Sequence, residues 1–133
     1  MSRKAAREIA LKLIYEFTVS GRKNDLTYKS LISSEELSSD DLSYIGKVYH
    51  GAIENYGAIT ELIASNTEGY RTERIYKVDL AILILSIYEI RFYEGISQAV
   101  SVNEAVELAK TYSTDKSYSF VNGILAKILN EGN

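Results

Sequence analysis

The chain has no cysteine, no proline and no tryptophan, and it has a single histidine. The lack of cysteine excludes disulfides and thiolate metal sites and permits a reducing compartment. One histidine, His50, argues against a histidine-based metal cluster or a catalytic triad, and its position on a helix flank reads as structural or merely exposed. No metal and no cofactor are expected. The missing prolines suit long, uninterrupted helices. The apolar N-terminal positions are broken by Arg7, Glu8 and Lys12, unlike the core of a signal peptide. The most apolar run, Val78 to Ile90, is too short and too charged to span a bilayer. These absences together predict a cytoplasmic protein that makes no use of a membrane.

What is present fits one globular domain. At 133 residues, 46% hydrophobic and 25% charged, the chain should bury roughly two-thirds of its unfolded surface. Val78–Ile90, continued by Arg91-Phe92-Tyr93-Glu94, is too long for an ordinary strand and stops at Gly95, a plausible helix end. A helix apolar nearly all round must lie inside a bundle, so the fold class is all-α. Asp79 stands in the first turn of this central helix, where a carboxylate favours the dipole, and Glu89 stands near its far end.

The other helices follow in order. Ser2 caps a first helix to about Ser20, stopped by Gly21, with Ala6, Ile9, Ala10, Leu13, Ile14 and Phe17 as its buried stripe. Lys4, Arg7, Leu11 and Tyr15 form a second row, read as an exposed flank with two cations and an aromatic. Leu26 to Ile32 reads as a short helix. Ser38 or Ser39 opens a long stretch through about Asn66 that Gly57 bends or divides. Thr72 caps a short turn through Tyr76. Ser101-Val102-Asn103-Glu104 fits a capping box, and that helix ends at Ser113-Thr114. A last helix covers Asp115 to Leu129. The net charge is −3, yet residues 1–23 hold six cations against Glu8 and Glu16, a local basic arm able to meet phosphates.

Three segments in register carry a resemblance. Asn103-Glu104-Ala105-Val106-Glu107-Leu108-Ala109-Lys110, with Ser117 and Phe120-Val121-Asn122-Gly123-Ile124-Leu125, resembles the C-terminal signature of the NusB family. Val78-Asp79-Leu80-Ala81-Ile82-Leu83 with Tyr88-Glu89 looks like that family's central helix. Arg3-Lys4-Ala5-Ala6-Arg7-Glu8 with Leu13-Ile14-Tyr15 is similar to its first helix. The resemblance spans essentially residues 1–133 as a single NusB-like RNA-binding domain. It implies a bundle of about seven helices that acts, without catalysis, as a bacterial transcription antitermination factor. Such factors bind boxA RNA together with NusE, a small-subunit ribosomal protein, and join other Nus factors on RNA polymerase during ribosomal RNA transcription.

Position by position, the resemblance implies RNA contacts at Arg3, Lys4, Arg7, Phe120 and Asn122, and a NusE surface at Tyr15, Glu73, Asp79, Tyr88 and Glu89. Gly123, inside a helix, costs about 1 kcal/mol relative to alanine, which suggests close packing or close approach of a ligand. Two departures from the family stand out. Ala5 and Ala6 interrupt the usual basic run, and Lys116 replaces a commonly acidic position, adding a cation beside Phe120. The rival readings are an RNA-targeting domain of the kind fused to ribosomal RNA cytosine methyltransferases, and a helical adaptor or homodimer with no RNA role. The expectation that ties the RNA residues together is one shared ledge bearing both Arg7 and Phe120.

Overall fold

The computed structural model describes residues 3–67 and 72–131. Among them are seven helices: α1 (Lys4–Ser20), α2 (Asp25–Ser33), α3 (Ser39–Glu54), α4 (Tyr56–Ser65), α5 (Lys77–Phe92), α6 (Gln98–Tyr112) and α7 (Ser117–Glu131). A single 3-10 turn at Thr72–Arg74 leads into α5. The sequence-predicted cap Ser2 and residues 68–71 of the connection before that turn lie outside the described residues.

The unbroken apolar character of α5 has the expected consequence. Every residue from Asp79 to Ile87, and Glu89 beyond it, is buried. Apolar faces of α1, α3, α4, α6 and α7 close over it as one contiguous core that includes Ile9, Leu13, Ile45, Ile63, Ala105 and Leu125. Helix α1 runs antiparallel to α5, since Arg7 meets Glu89 near the end of α5 while Leu11 and Tyr15 face Val78 near its start. Helix α6 is likewise antiparallel, with Ser101 at Glu89 and Ser113 at Asp79. Helix α7 runs back parallel: Ser117 sits at Asp79, and Arg91 donates to the Ile128 carbonyl at 3.4 Å.

Helix ends follow local chemistry, not always at the residues predicted. Gly21 stops α1 in the left-handed region at φ 76°, and Ser38 caps α3 by accepting from the Asp41 amide. The long stretch divides at Asn55, two residues before Gly57. Helix α5 ends at Phe92, before Gly95, which instead takes φ 94° in the following turn. The predicted capping box is displaced: Ser97 caps α6, and Ser101 lies one turn inside it, buried and donating to Glu89. Helix α7 starts at Ser117 rather than Asp115.

Two carboxylates in this core pin the ends of α5. Glu89, 2% exposed, accepts from Arg7 Nε at 2.8 Å, Arg7 Nη2 at 3.2 Å, the Ser101 hydroxyl at 2.7 Å and the Tyr44 hydroxyl. One side chain thereby joins α1, α3, α5 and α6. Ten residues earlier, about 15 Å along the axis, Asp79 accepts from the hydroxyls of Ser113 and Ser117 and fastens the α6–α7 turn. A buried anion is tolerated only when so fully partnered.

Candidate nucleic-acid interface

The basic start of α1 is largely committed to the protein itself. The row predicted as an exposed flank is buried at two of its four positions, Arg7 and Leu11. Arg7 is 6% exposed, and its guanidinium grips both oxygens of the Glu89 carboxylate. Burial pulls the Arg7 pKa down, but the hydrogen bond and negative charge of Glu89, helped by Tyr44 and Glu104, outweigh it and the net shift is upward. Arg3 pairs with the buried Asp41 at 3.0 Å and lies 4.6 Å above the Tyr44 ring. Lys4 is exposed and lines, with Arg7, a groove between α1 and α6 that also contains Glu8, Glu104 and Glu107.

The predicted partner surface changes in the same way. Glu89 and Asp79, expected to face a basic protein, are turned inward, because each satisfies hydroxyls or a guanidinium that burial would otherwise strand. Tyr88 is half-buried, stacks on Phe92 with ring centres 5.3 Å apart, and covers Gly51, where a Cβ would fall on its ring. It packs α5 on α3. Glu73, on the 3-10 turn, and Tyr15, on α1, are exposed.

Arg7 and Phe120 do not share one ledge. Arg7 belongs to the Glu89 end of α5, whereas Phe120 lines a cleft with Arg74, Ile75, Tyr76 and Asp79 at the other end. Between them lie two concavities whose Lys12, Val78, Thr111 and Tyr112 the sequence did not mark as site residues. The groove at Lys4 and Thr111 is followed by an apolar concavity formed by Leu11, Lys12, Tyr15, Val78 and Tyr112, and Val78 adjoins Asp79 of the Phe120 cleft. Tyr112 is exposed at the end of α6. Lys12 stands one helical turn from Tyr15, a signal that was available. Beyond this seam Lys116 is exposed one turn before half-buried Phe120, Asn122 is exposed on a different face of α7, and Lys110 lies 5.2 Å over the Tyr118 ring.

Cations beside exposed aromatic faces suit a flexible polyanion with unstacked bases. No group of three or more His, Cys, Asp or Glu side chains able to hold a metal occurs among the described residues. No described helix is long and apolar enough to cross a membrane.

Residues 4–130 match the family model described as the NusB family. The chain belongs to the NusB family. Curated relatives include the transcription antitermination protein NusB of Finegoldia magna, 38% identical over 97% of this chain and 94% of that protein. The NusB of Acetivibrio thermocellus is 42% identical over 97% of this chain and 89% of its own length. Among solved structures, T. maritima NusB superposes with a TM-score of 0.87 at 28% identity, covering 98% of this chain and 92% of that one. A chain in a crystal structure of antitermination factors NusB and NusE in complex with dsRNA shares the fold, with a TM-score of 0.87 at 24% identity over 97% of this chain and 96% of that one. This NusB-family chain therefore has the all-α architecture that its sequence predicted, with seven helices among the described residues, as the resemblance implied.

Proposed function

We propose that this chain is a bacterial transcription antitermination factor whose one domain, residues 1–133, binds boxA-type RNA together with NusE. The observation that carries the reading is its near-full-length kinship: relatives named as transcription antitermination proteins cover 97% of the chain at 38% and 42% identity. The activity is linked binding in the cytoplasm, with no bond made or broken. RNA and NusE occupy adjoining parts of one surface, so each raises the affinity for the other by the same factor. Other Nus factors and RNA polymerase are reached through that complex.

The seam from Lys4 through Lys12, Tyr15 and Tyr112, with Lys116 and Phe120 beyond it and exposed Asn122 on a neighbouring face of α7, supports the RNA role. Lys4 and Lys116 supply charge to phosphates, Phe120 a face for a base, and Asn122 an amide able to donate and accept. Arg3 and Arg7 act as positioning residues that hold the start of α1 in place. Glu73, exposed on the turn that leads into α5, is the carboxylate offered to NusE, with Asp79 and Glu89 supporting that surface from within. Exposed Tyr15, Tyr76, Tyr112 and Tyr118 also favour a second reading, a homodimer that covers this same face; light scattering with and without RNA separates the two.

The test is a salt titration of boxA-like RNA binding in the presence of NusE. Lys116→Glu is expected to weaken binding and to lower the salt slope by about 0.7 for each phosphate left without its cation. Phe120→Ala should cost about 1–3 kcal/mol with the slope unchanged. Wild-type affinity in both variants would contradict the RNA face assigned to α7.

A further inference from the structure

Glycine is the poorest helix former after proline, so a glycine inside a helix calls for a reason. Gly51, in α3, has one: a Cβ there would strike the Tyr88 ring. Gly46 has a weaker one, because its Cβ would come within 3.2 Å of the Tyr28 hydroxyl. Gly57 stands in the first turn of α4, where little of the helix depends on it. Gly123 is different. It lies in the middle of α7, and a Cβ built on it meets nothing within 4 Å. Internal packing does not explain it.

The space in front of Gly123 is a cleft of about 240 Å³ lined by Asn66, Thr67, Ser119, Phe120, Gly123, Ile124 and Lys127. Its polar floor is tied down, with Asn66 Nδ2 donating to the Leu62 carbonyl at 2.9 Å and the Thr67 hydroxyl to that of Ala64 at 3.0 Å. Phe120, Gly123 and Lys127 recur at i, i+3 and i+7 and so share one face of α7. Phe120 also lines the cleft of about 260 Å³ toward Arg74, Tyr76 and Asp79. The half-buried ring is thus a partition between two concavities, each carrying one cation at its rim.

We infer that the Gly123 cleft seats one nucleotide of a single-stranded RNA, with Phe120 wedged between that base and its neighbour in the adjoining cleft. The absent side chain lets the base or ribose approach the α7 backbone, and Lys127 meets the phosphate. This rests on the RNA-binding reading above and adds to it a two-base register around Phe120 and a subsite at Gly123. An RNA occupant is favoured over a protein segment by continuity with Lys116, one turn before Phe120 on the same face of α7, and by the cations at both rims.

Anisotropy of a labelled boxA-like single-stranded RNA, with NusE present, should compare wild type with Gly123→Ala, Gly123→Leu, Lys127→Gln and Phe120→Ala, alongside thermal melts. Both glycine variants should melt at or above the wild-type temperature, since they enter open space in a helix. Gly123→Leu is expected to weaken RNA binding by about tenfold, the scale of one lost base stack, and Gly123→Ala by a smaller factor, neither changing the salt slope. Lys127→Gln should lower that slope. If leucine lowers the melting temperature, the alanine variant decides. Wild-type RNA affinity in the stable glycine variants, with Phe120→Ala impaired, overturns the subsite and leaves the RNA reading standing. No RNA binding by the wild-type chain removes both.

Discussion

Glu89→Gln isolates the charge of the buried anion while keeping its size. The carboxylate receives donors from Arg7, Tyr44 and Ser101 and has no donor of its own to place. Glutamine sets an NH2 group against one of those donors and leaves the Arg7 guanidinium, 6% exposed, without its principal counter-ion. Removing one member of a buried pair costs about 3–5 kcal/mol. Glu104 approaches Arg7 at 3.8 Å and is itself partly exposed, so it can move closer and offset part of the loss. The expected cost is therefore near the lower end, about 3 kcal/mol, a large share of the ~5–15 kcal/mol that stabilises a typical domain. Urea unfolding should show a lower midpoint with an unchanged slope. A loss below about 1 kcal/mol, well under the range for a broken buried pair, would refute the view that Glu89 holds four helices together.

Tyr44 gives a pH signature. Burial raises its pKa, and the nearby Glu89 charge and their hydrogen bond raise it further. The folded state therefore disfavours the phenolate: its contribution is complete below the unfolded value of about 10 and is lost as pH rises above it, at about 1.4 kcal/mol per pH unit. Phenolate absorbance should show Tyr44 ionising only with unfolding, and early titration in the folded chain would contradict this. Asp79→Ala removes the charged acceptor of the Ser113 and Ser117 hydroxyls, leaving them each other and Thr114 as partners, and should cost about 1.5–3 kcal/mol, read by urea unfolding; an unchanged midpoint would show that these bonds do not hold the α6–α7 turn. Gly51→Ala, by driving a methyl into the Tyr88 ring, should lower stability by about 1–3 kcal/mol, and a neutral effect in a thermal melt would show that Tyr88 can move aside at little cost.

The helices were legible because each carries an apolar stripe of helical period, and α5 because its stripe never breaks. Their ends were less so. Ser97 and Ser101 are both serines one turn apart, and only the side chain waiting at Glu89 decides that the second is interior. The same interaction defeated the reading of Arg7. Its partner is 82 residues away in sequence, and periodicity alone marks an arginine beside the apolar stripe as solvent-facing. Asp79 shows the complement: its place in the first turn of α5 was readable, but its hydroxyl partners on the α6–α7 turn were not. Gly123 was recognised as needing a reason, and the empty space in front of its Cα now removes close packing from the two that were open.

The proposed linkage between RNA and NusE on one face is read by isothermal titration of boxA-like RNA into the chain, with and without saturating NusE. The expected result is tighter RNA binding in the presence of NusE, and the same factor when NusE is titrated with and without RNA. RNA affinity that is undetectable at moderate salt even with NusE bound, or that is indifferent to NusE, would contradict it.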